Sequence, residues 1–257
     1  IEYNGLAPDM GAFESEHTAI VGCMDPLGVN YSPDAWISDE CSYEGGNYSL
    51  SFDGIDDYVE IQNSSFRNDL AGTLIFWVNL QDEGPHYIFN GGHTNGLGVS
   101  IGAAGVGVQQ LWVTSSPAQS FNVGTIDLNT WHHLAIVSHG TGNPYDVYLN
   151  GVIANAETPN GDGFIEGHWF GLPGNNGETI IGNIDDGFGN QYDMYTNGNL
   201  DDIQIWNYPL SQEEIQSNIL ANITGEEAYL AAYWSFNDAP GDVLTDASGN
   251  GNEGNIL

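Results

Sequence analysis

Apolar residues in this chain fall in short runs, and clusters of Gly, Asn, Asp and Pro separate one run from the next. "YSLSF", "DYVEI", "GTLIFWVNL", "HYIFN", "GVSIG", "QQLWVTS", "HHLAIVSH", "YDVYLNG", "ETIIGN", "DDIQIWN" and "AAYWSF" have strand length and are rich in β-branched and aromatic residues. Many short strands at regular spacing predict packed antiparallel sheets, a sandwich or jelly roll, and not alternating β and α units. "DVYLNGVIA" places Asn150-Gly151 between two apolar runs, the pattern of a tight hairpin. One segment departs from the strand pattern. "SQEEIQSNIL" predicts a helix, with Ser211 as its N-cap and Glu214 three residues on as the capping-box partner. The pattern therefore predicts an all-β sandwich or jelly roll with one short helix.

Charge changes this picture most. The 257 residues carry 35 acidic side chains against one basic one, Arg67, for a formal charge of −34. No basic patch can be assembled from one arginine, which excludes nucleic acid and anionic membranes as expected partners. Two carboxylates ~4 Å apart repel by roughly 4 kcal/mol at an effective dielectric near 20. Clustered acids therefore need separation, salt or bound cations. Most of the acids read as solvated surface, and some as ligands for calcium, a hard cation that takes carboxylate and carbonyl oxygens. A single basic residue also leaves trypsin-like proteases one place to cut, which suits life outside the cell.

Cys23 and Cys41 are the only cysteines. Two cysteines without a close histidine do not make a structural zinc site, so a single disulfide closing an N-terminal extension is the better reading. It implies an oxidising compartment, and we expect a secreted or cell-surface location. The chain begins at Ile1, and reads as a piece or processed product of a longer protein. Composition divides the chain into a turn-rich 1–21, a Cys-bounded Asp-rich 22–46 and the sandwich at 47–257, and the resemblances below imply that the first is the tail of a preceding domain or a linker and the second a spacer.

Resemblance adds to this division. "IEYNGLAPDMGAFESE" is similar to the closing coil of secreted right-handed β-helix proteins. "GCMDPLGVNYSPDAWISDECSYE" resembles small modules between domains of secreted bacterial proteins, particularly of marine Bacteroidetes. Its acids Asp25, Asp34, Asp39 and Glu40 are compatible with a calcium-stapled spacer, or with a disulfide loop holding no metal. Further on, "SLSFDGIDDYVEI", "GTLIFWVNL", "WHHLAIV", "VYLNGV", "IGN", "GNLDDIQIWNYPLSQEEIQ" and "YLAAYWSFNDAPGDVLTDASGNGNEGNI" occur in the order of a laminin-G-like domain of the concanavalin A-type jelly-roll superfamily. The resemblance implies two stacked antiparallel sheets, an all-β two-sheet jelly-roll sandwich, with the "WHHLAIV" and "VYLNGV" strands adjacent. It also implies that the "SFDGIDDYVEI" and "LDDIQIW" strands lie near each other, with both acidic pairs at one rim. Calcium at the sandwich rim is a family habit, so the implied ligands are Asp53, Asp56 and Asp57 with Asp201 and Asp202. Asp246, Asn250 and Asn252 would serve the same ion or a second one. The competing reading is that these Asp-Gly and Asn-Gly groups only cap turns.

Related jelly rolls include hydrolases and lyases. No strand here reads Glu-x-Asp-x-x-Glu, and a lone arginine is a poor basis for holding an acidic sugar. "GVSIG" fits the Gly-x-Ser-x-Gly pattern, but a nucleophile elbow needs a strand turning into a helix and this segment continues as Gly-rich strand. His132 and His133 read as structural, one facing inward and one outward. Loop aromatics suggest a glycan surface: His168, Trp169 and Phe170 in "GHWFG", and Tyr192 and Tyr195 with Asn190 and Asp193 in "GNQYDMY". Sugar CH groups stack on rings while hydroxyls bond amide and carboxylate. The alternative is that these rings fold back as satellite core. The leading expectation is a non-catalytic, calcium-stabilised adhesion or glycan-binding module that recognises a neutral polysaccharide or glycoprotein glycan. The alternative is a structural domain that pairs with neighbouring domains or copies of itself, and a polysaccharide-degrading enzyme comes third.

Overall fold

The computed structural model describes residues 21–22, 32–35, 37–38, 48–62, 64–84, 86–91, 97–105, 108–115, 119–140, 142–154, 169–170, 178–183, 195–237 and 241–257, with the side chains of 102–125 outside that description. The chain divides into two units, Ile1–Asn47 with Asn237–Pro240, and Tyr48–Phe236 with Gly241–Leu257. In the first unit, β1 (Val21–Gly22) pairs in parallel with β2 (Ile37–Ser38). Cys23 and Cys41, and with them the disulfide, lie outside the described residues.

The second unit is a two-sheet antiparallel sandwich. Its first sheet runs β12 (Val152–Ile153), β11 (Tyr145–Leu149), β10 (His132–Ser138), β5 (Gly72–Leu80), β14 (Asn197–Trp206) and β15 (Leu230–Trp234), with β3 (Leu50–Asp53) also paired to β14. Its second runs β16 (Val243–Leu244), β17 (Gly254–Ile256), β4 (Val59–Ile61), β13 (Thr179–Ile181), β6 (His86–Asn90), β7 (Leu97–Gly105), β8 (Val108–Ser115) and β9 (Gln119–Asp127). As the resemblance implied, β10 and β11 are neighbours, and β3 lies against β14. Asn150 and Gly151 both take positive φ, 51° and 74°, between β11 and β12, which is what a two-residue primed turn requires. "GVSIG" lies wholly inside β7.

Alternation explains where the core sits. Along β5, Leu74, Phe76, Val78 and Leu80 point into the space between the sheets, while Ile75 points out. On β10, Leu134 and Ile136 face inward and Ala135 and Val137 outward, yet every residue of the strand is buried. The outward face is covered by a second apolar cluster that includes Tyr148, Trp206, Leu210 and Ile215, the last from the helix α1 (Gln212–Asn218). That cover buries His133 as deeply as the core, and burial pushes its pKa down to about 4, so the ring stays neutral. The capping box is present: Ser211 Oγ accepts the Glu214 N–H, and the Ser211 N–H donates to Glu214 Oε2 at 2.7 Å. Gln216 Nε2 donates to the Gly151 carbonyl at 2.9 Å and ties α1 to the hairpin turn.

Candidate functional site

Two acidic pairs were expected at one rim and a third group of acid and amides at the same ion or a second one, and the structure places the three in different settings. At the end of β3 the chain turns, and the carboxylates of Asp53, Asp56 and Asp57 bring ligand atoms within 4.8 Å of one another. Local hydrogen bonds shape this turn. Ile55 N–H donates to Asp53 Oδ1 at 2.8 Å, and Asp53 N–H donates to Asp57 Oδ2 at 2.9 Å. Each of these two carboxylates keeps its second oxygen clear of those bonds. Hard, converging oxygens in a chain so short of cations are a donor set that fits calcium.

Asp201 and Asp202 do not join them. Asn197 faces Asp53 across β3 and β14, whereas Asp201 is four residues further on, roughly 13 Å at the rise of a strand. It faces Trp77 of β5, and the register then slips so that Gln204 faces Ile75. This bulge puts Asp202 at φ 48°, a left-handed conformation that residues with a Cβ seldom adopt. Tyr233 donates its hydroxyl to Asp202 Oδ1 at 2.7 Å, and Asp202 N–H donates to Asp201 Oδ1 at 2.9 Å. Asp201 is 7% exposed, and burial, with the neighbouring Asp202 charge, pushes its pKa up to about 7. The expectation of both acidic pairs at one rim is therefore corrected, because the strands are adjacent but their acids are offset along the shared ladder.

Asp246, Asn250 and Asn252 form a hydrogen-bonded clasp. Asp246 accepts five bonds, from Tyr233 N–H, Ser248 N–H and Oγ–H, and Asn252 N–H and Nδ2–H, at 2.6–3.0 Å. Asn252 Oδ1 accepts the Ser65 N–H at 2.6 Å, and its amide also donates to the Ala231 carbonyl at 2.9 Å. Asn250 donates to the carbonyls of Leu230 and Ala231. Asp246 and Asn252 are buried, and protein N–H groups occupy the positions a cation would need. The reading of Asp246 and Asn252 as metal ligands is thus corrected to a structural one, and the exposed Asn250 joins the same clasp through its amide N–H groups.

The loop aromatics are also corrected in part. Trp169 and Phe170 are each 1% exposed and lie inside the main core, where Phe170 packs on Phe66 with ring centroids 4.8 Å apart. Glycines make room for them: a Cβ on Gly72 would lie 2.7 Å from the Trp169 indole, and one on Gly91 would collide with Phe170. A ring buried this way offers no face to a sugar. Tyr195 is half-buried, and its carbonyl lies 3.3 Å from Nδ1 of the buried His86. His168, Asn190, Tyr192 and Asp193 fall outside the described residues.

A further feature was not read from the sequence. On the outer side of the first sheet an open groove of roughly 650 Å³ runs between the Trp206–Leu210 segment and α1. Trp206 and Tyr208 supply its aromatic wall, and Glu213, Ser217 and Asn218 its polar one. Trp206 Nε1 and Asn218 Nδ2 both donate to Gln204 Oε1, at 3.1 and 2.7 Å. The Tyr208 hydroxyl donates to Glu214 Oε1 at 2.7 Å, and its pKa is pushed up to about 12 by burial and then by that carboxylate. Its sequence signal is "WNYPLSQEE", two aromatics followed by an acidic helix start, which lies inside the "GNLDDIQIWNYPLSQEEIQ" motif.

The model of the laminin G type 3 family, described as the concanavalin A-like lectin/glucanases superfamily, matches residues 53–216, well over half of the chain. The chain belongs to this superfamily. A Bacteroides ovatus protein named for a suggested carbohydrate-binding role superimposes on this superfamily member with a TM-score of 0.61 at 19% identity, over 89% of this chain and 63% of its own. The chain thus spans less than two thirds of that protein's length. A heptameric SAP-like pentraxin from Limulus polyphemus superimposes with a TM-score of 0.52 at 18% identity, over 68% of this chain and 82% of its own. At these identities the likeness is one of fold. A search of curated proteins found no match.

Proposed function

We propose that this superfamily member is a non-catalytic carbohydrate-binding module of a secreted or cell-surface protein, stiffened by calcium. The observation that carries the reading is membership in the lectin/glucanase superfamily, together with the fold shared with the Bacteroides ovatus protein. Asp201 and Asp202 are neighbours on one strand, whereas glycoside hydrolysis needs carboxylates flanking a bond across a cleft, which supports a binding role. Asp53, Asp56 and Asp57 would hold the calcium, which would cancel their mutual repulsion and fix the turn after β3. With Arg67 as the sole Lys or Arg, neutral glycans are the favoured class, and nucleic acid and anionic membranes are disfavoured.

A structural reading has one observation in its favour. β9, nine residues long, ends the order of the second sheet, and among the described residues no strand pairs with its outer edge. Retention on neutral and acidic polysaccharides, in calcium and then in chelator, separates the two. We expect calcium-dependent retention by one neutral glycan. Retention by none, with concentration-dependent self-association, would replace the binding module with an assembly domain.

A further inference from the structure

Tyr229 is held in an arrangement that folding alone does not reward. Its φ is 70°, left-handed backbone that costs a residue with a Cβ about 1–2 kcal/mol. Yet its ring is 66% exposed, so burial returns little of that cost. Asn207 N–H donates to the Tyr229 carbonyl at 3.0 Å and locks the position. The ring then meets Tyr208 at 5.2 Å between centroids and 61° between planes. Tyr208 lines the groove beside α1 and is itself fixed through Glu214, which Ser211 holds in turn. Tyr208 is therefore a pre-set aromatic shelf on the groove, with little side-chain freedom left to lose on binding, and the exposed Tyr229 ring, outside the groove lining, extends it edge-on.

The polar wall says what the shelf takes. Glu213 is an exposed carboxylate, and Ser217 and Asn218 add hydroxyl and amide groups. None of the residues lining the groove is basic. An anionic ligand would meet Glu213 and Glu214 without a compensating charge, whereas an uncharged polyol can donate hydroxyl hydrogens to them. The size of the groove is that of a small-molecule site, and its open side admits the flank of a chain.

We propose that the groove between Tyr208 and α1 is the glycan site, and that it takes a neutral sugar chain stacked on Tyr208, with hydroxyls on Glu213 and Asn218 and its flank reaching the exposed Tyr229 beside the groove. This rests on the carbohydrate-binding reading and adds the site and the ligand class. The test is titration calorimetry of the full chain against neutral gluco-, manno-, xylo- and arabino-oligosaccharides, alginate and a sulfated galactan. Tyr229→Gly is the decisive variant, because glycine suits the left-handed backbone and the melting temperature should hold or rise while the extension of the shelf is lost. We expect neutral-sugar affinity to fall at least tenfold in Tyr229→Gly and in Glu213→Gln. Neutral binding by the unaltered chain that survives both changes overturns the site but leaves the module. Binding to nothing on the panel overturns both. Preference for alginate or the galactan overturns the neutral class.

Discussion

The turn after β3 and the clasp at Asp246 look alike as text, an aspartate set among glycines and further acids or amides, and they are opposites in space. At Asp53, Asp56 and Asp57 the carboxylates converge, and two of the three are exposed. At Asp246 a single buried carboxylate is saturated by five donors, four of them the backbone and side-chain donors of Ser248 and Asn252 and one the Tyr233 N–H on β15. What separates the candidate cation site from the clasp is therefore the supply of N–H groups, not the density of acid. Carboxylates that outnumber nearby donors keep oxygens open to water or to a cation. A carboxylate that is outnumbered by donors becomes an anchor.

The largest effect expected of this contrast is at the clasp. Asp246→Ala should cost on the order of 3–5 kcal/mol, since it strands buried N–H donors. In a chain of this size that lowers the melting temperature by roughly 10 °C, and the loss should be the same in calcium and in chelator. A calcium-dependent loss would break the comparison. Next, chelation of the unaltered chain should lower its stability by about 2–3 kcal/mol if calcium had been near a hundredfold above its dissociation constant. Asp56→Ala should abolish that response, while Asp246→Ala should keep it. Thermal melts with and without chelator read both, and a response that survives Asp56→Ala would remove the turn as the metal site.

Asp201 gives the intermediate case and the smallest expected effect. It is buried with one local donor and an acidic neighbour, so its pKa rises from the ordinary 3.8 to about 7. The folded protein then holds a proton over a range where the unfolded chain has lost it. Stability from this group is full below about pH 4 and is lost as pH climbs through 7, by on the order of 2 kcal/mol once the roughly 4 kcal/mol of the full shift is discounted for solvent screening. Asp201→Asn should flatten that slope and stabilise the protein at pH 7–8. Denaturant midpoints across pH 4–8 test it, and an unchanged slope would mean that Asp201 ionises freely at the bulge.

Much of the fold was legible because its signals are local. β5 coincides with "GTLIFWVNL", the helix starts at its capping box, and the hairpin turns at Asn150-Gly151. The acidic turn was legible for the same reason, with three aspartates inside five residues. What failed to show were partnerships made over distance. Trp169 is core because Gly72, far earlier in the chain, leaves it a slot. Asp246 is an anchor because Tyr233 and Asn252 reach it. Burial of His133 depends on α1 lying over the sheet, which no periodicity within "WHHLAIV" encodes. The offset of Asp201 from Asp53 depends on strand register, which two motifs read separately do not supply.

The clasp has a consequence for synthesis. β17 sits between β16 and β4, so the segment that closes the second sheet is also the last of the sandwich to leave the ribosome. Until it arrives, Asp246 and Asn252 are absent, Trp234 lacks the Asn252 carbonyl that accepts its indole N–H at 2.9 Å, and β4 presents a bare edge. A nascent chain stalled before Asp246 is thus a nearly complete sandwich with one open seam, the form in which it is most exposed to pairing with the wrong strand.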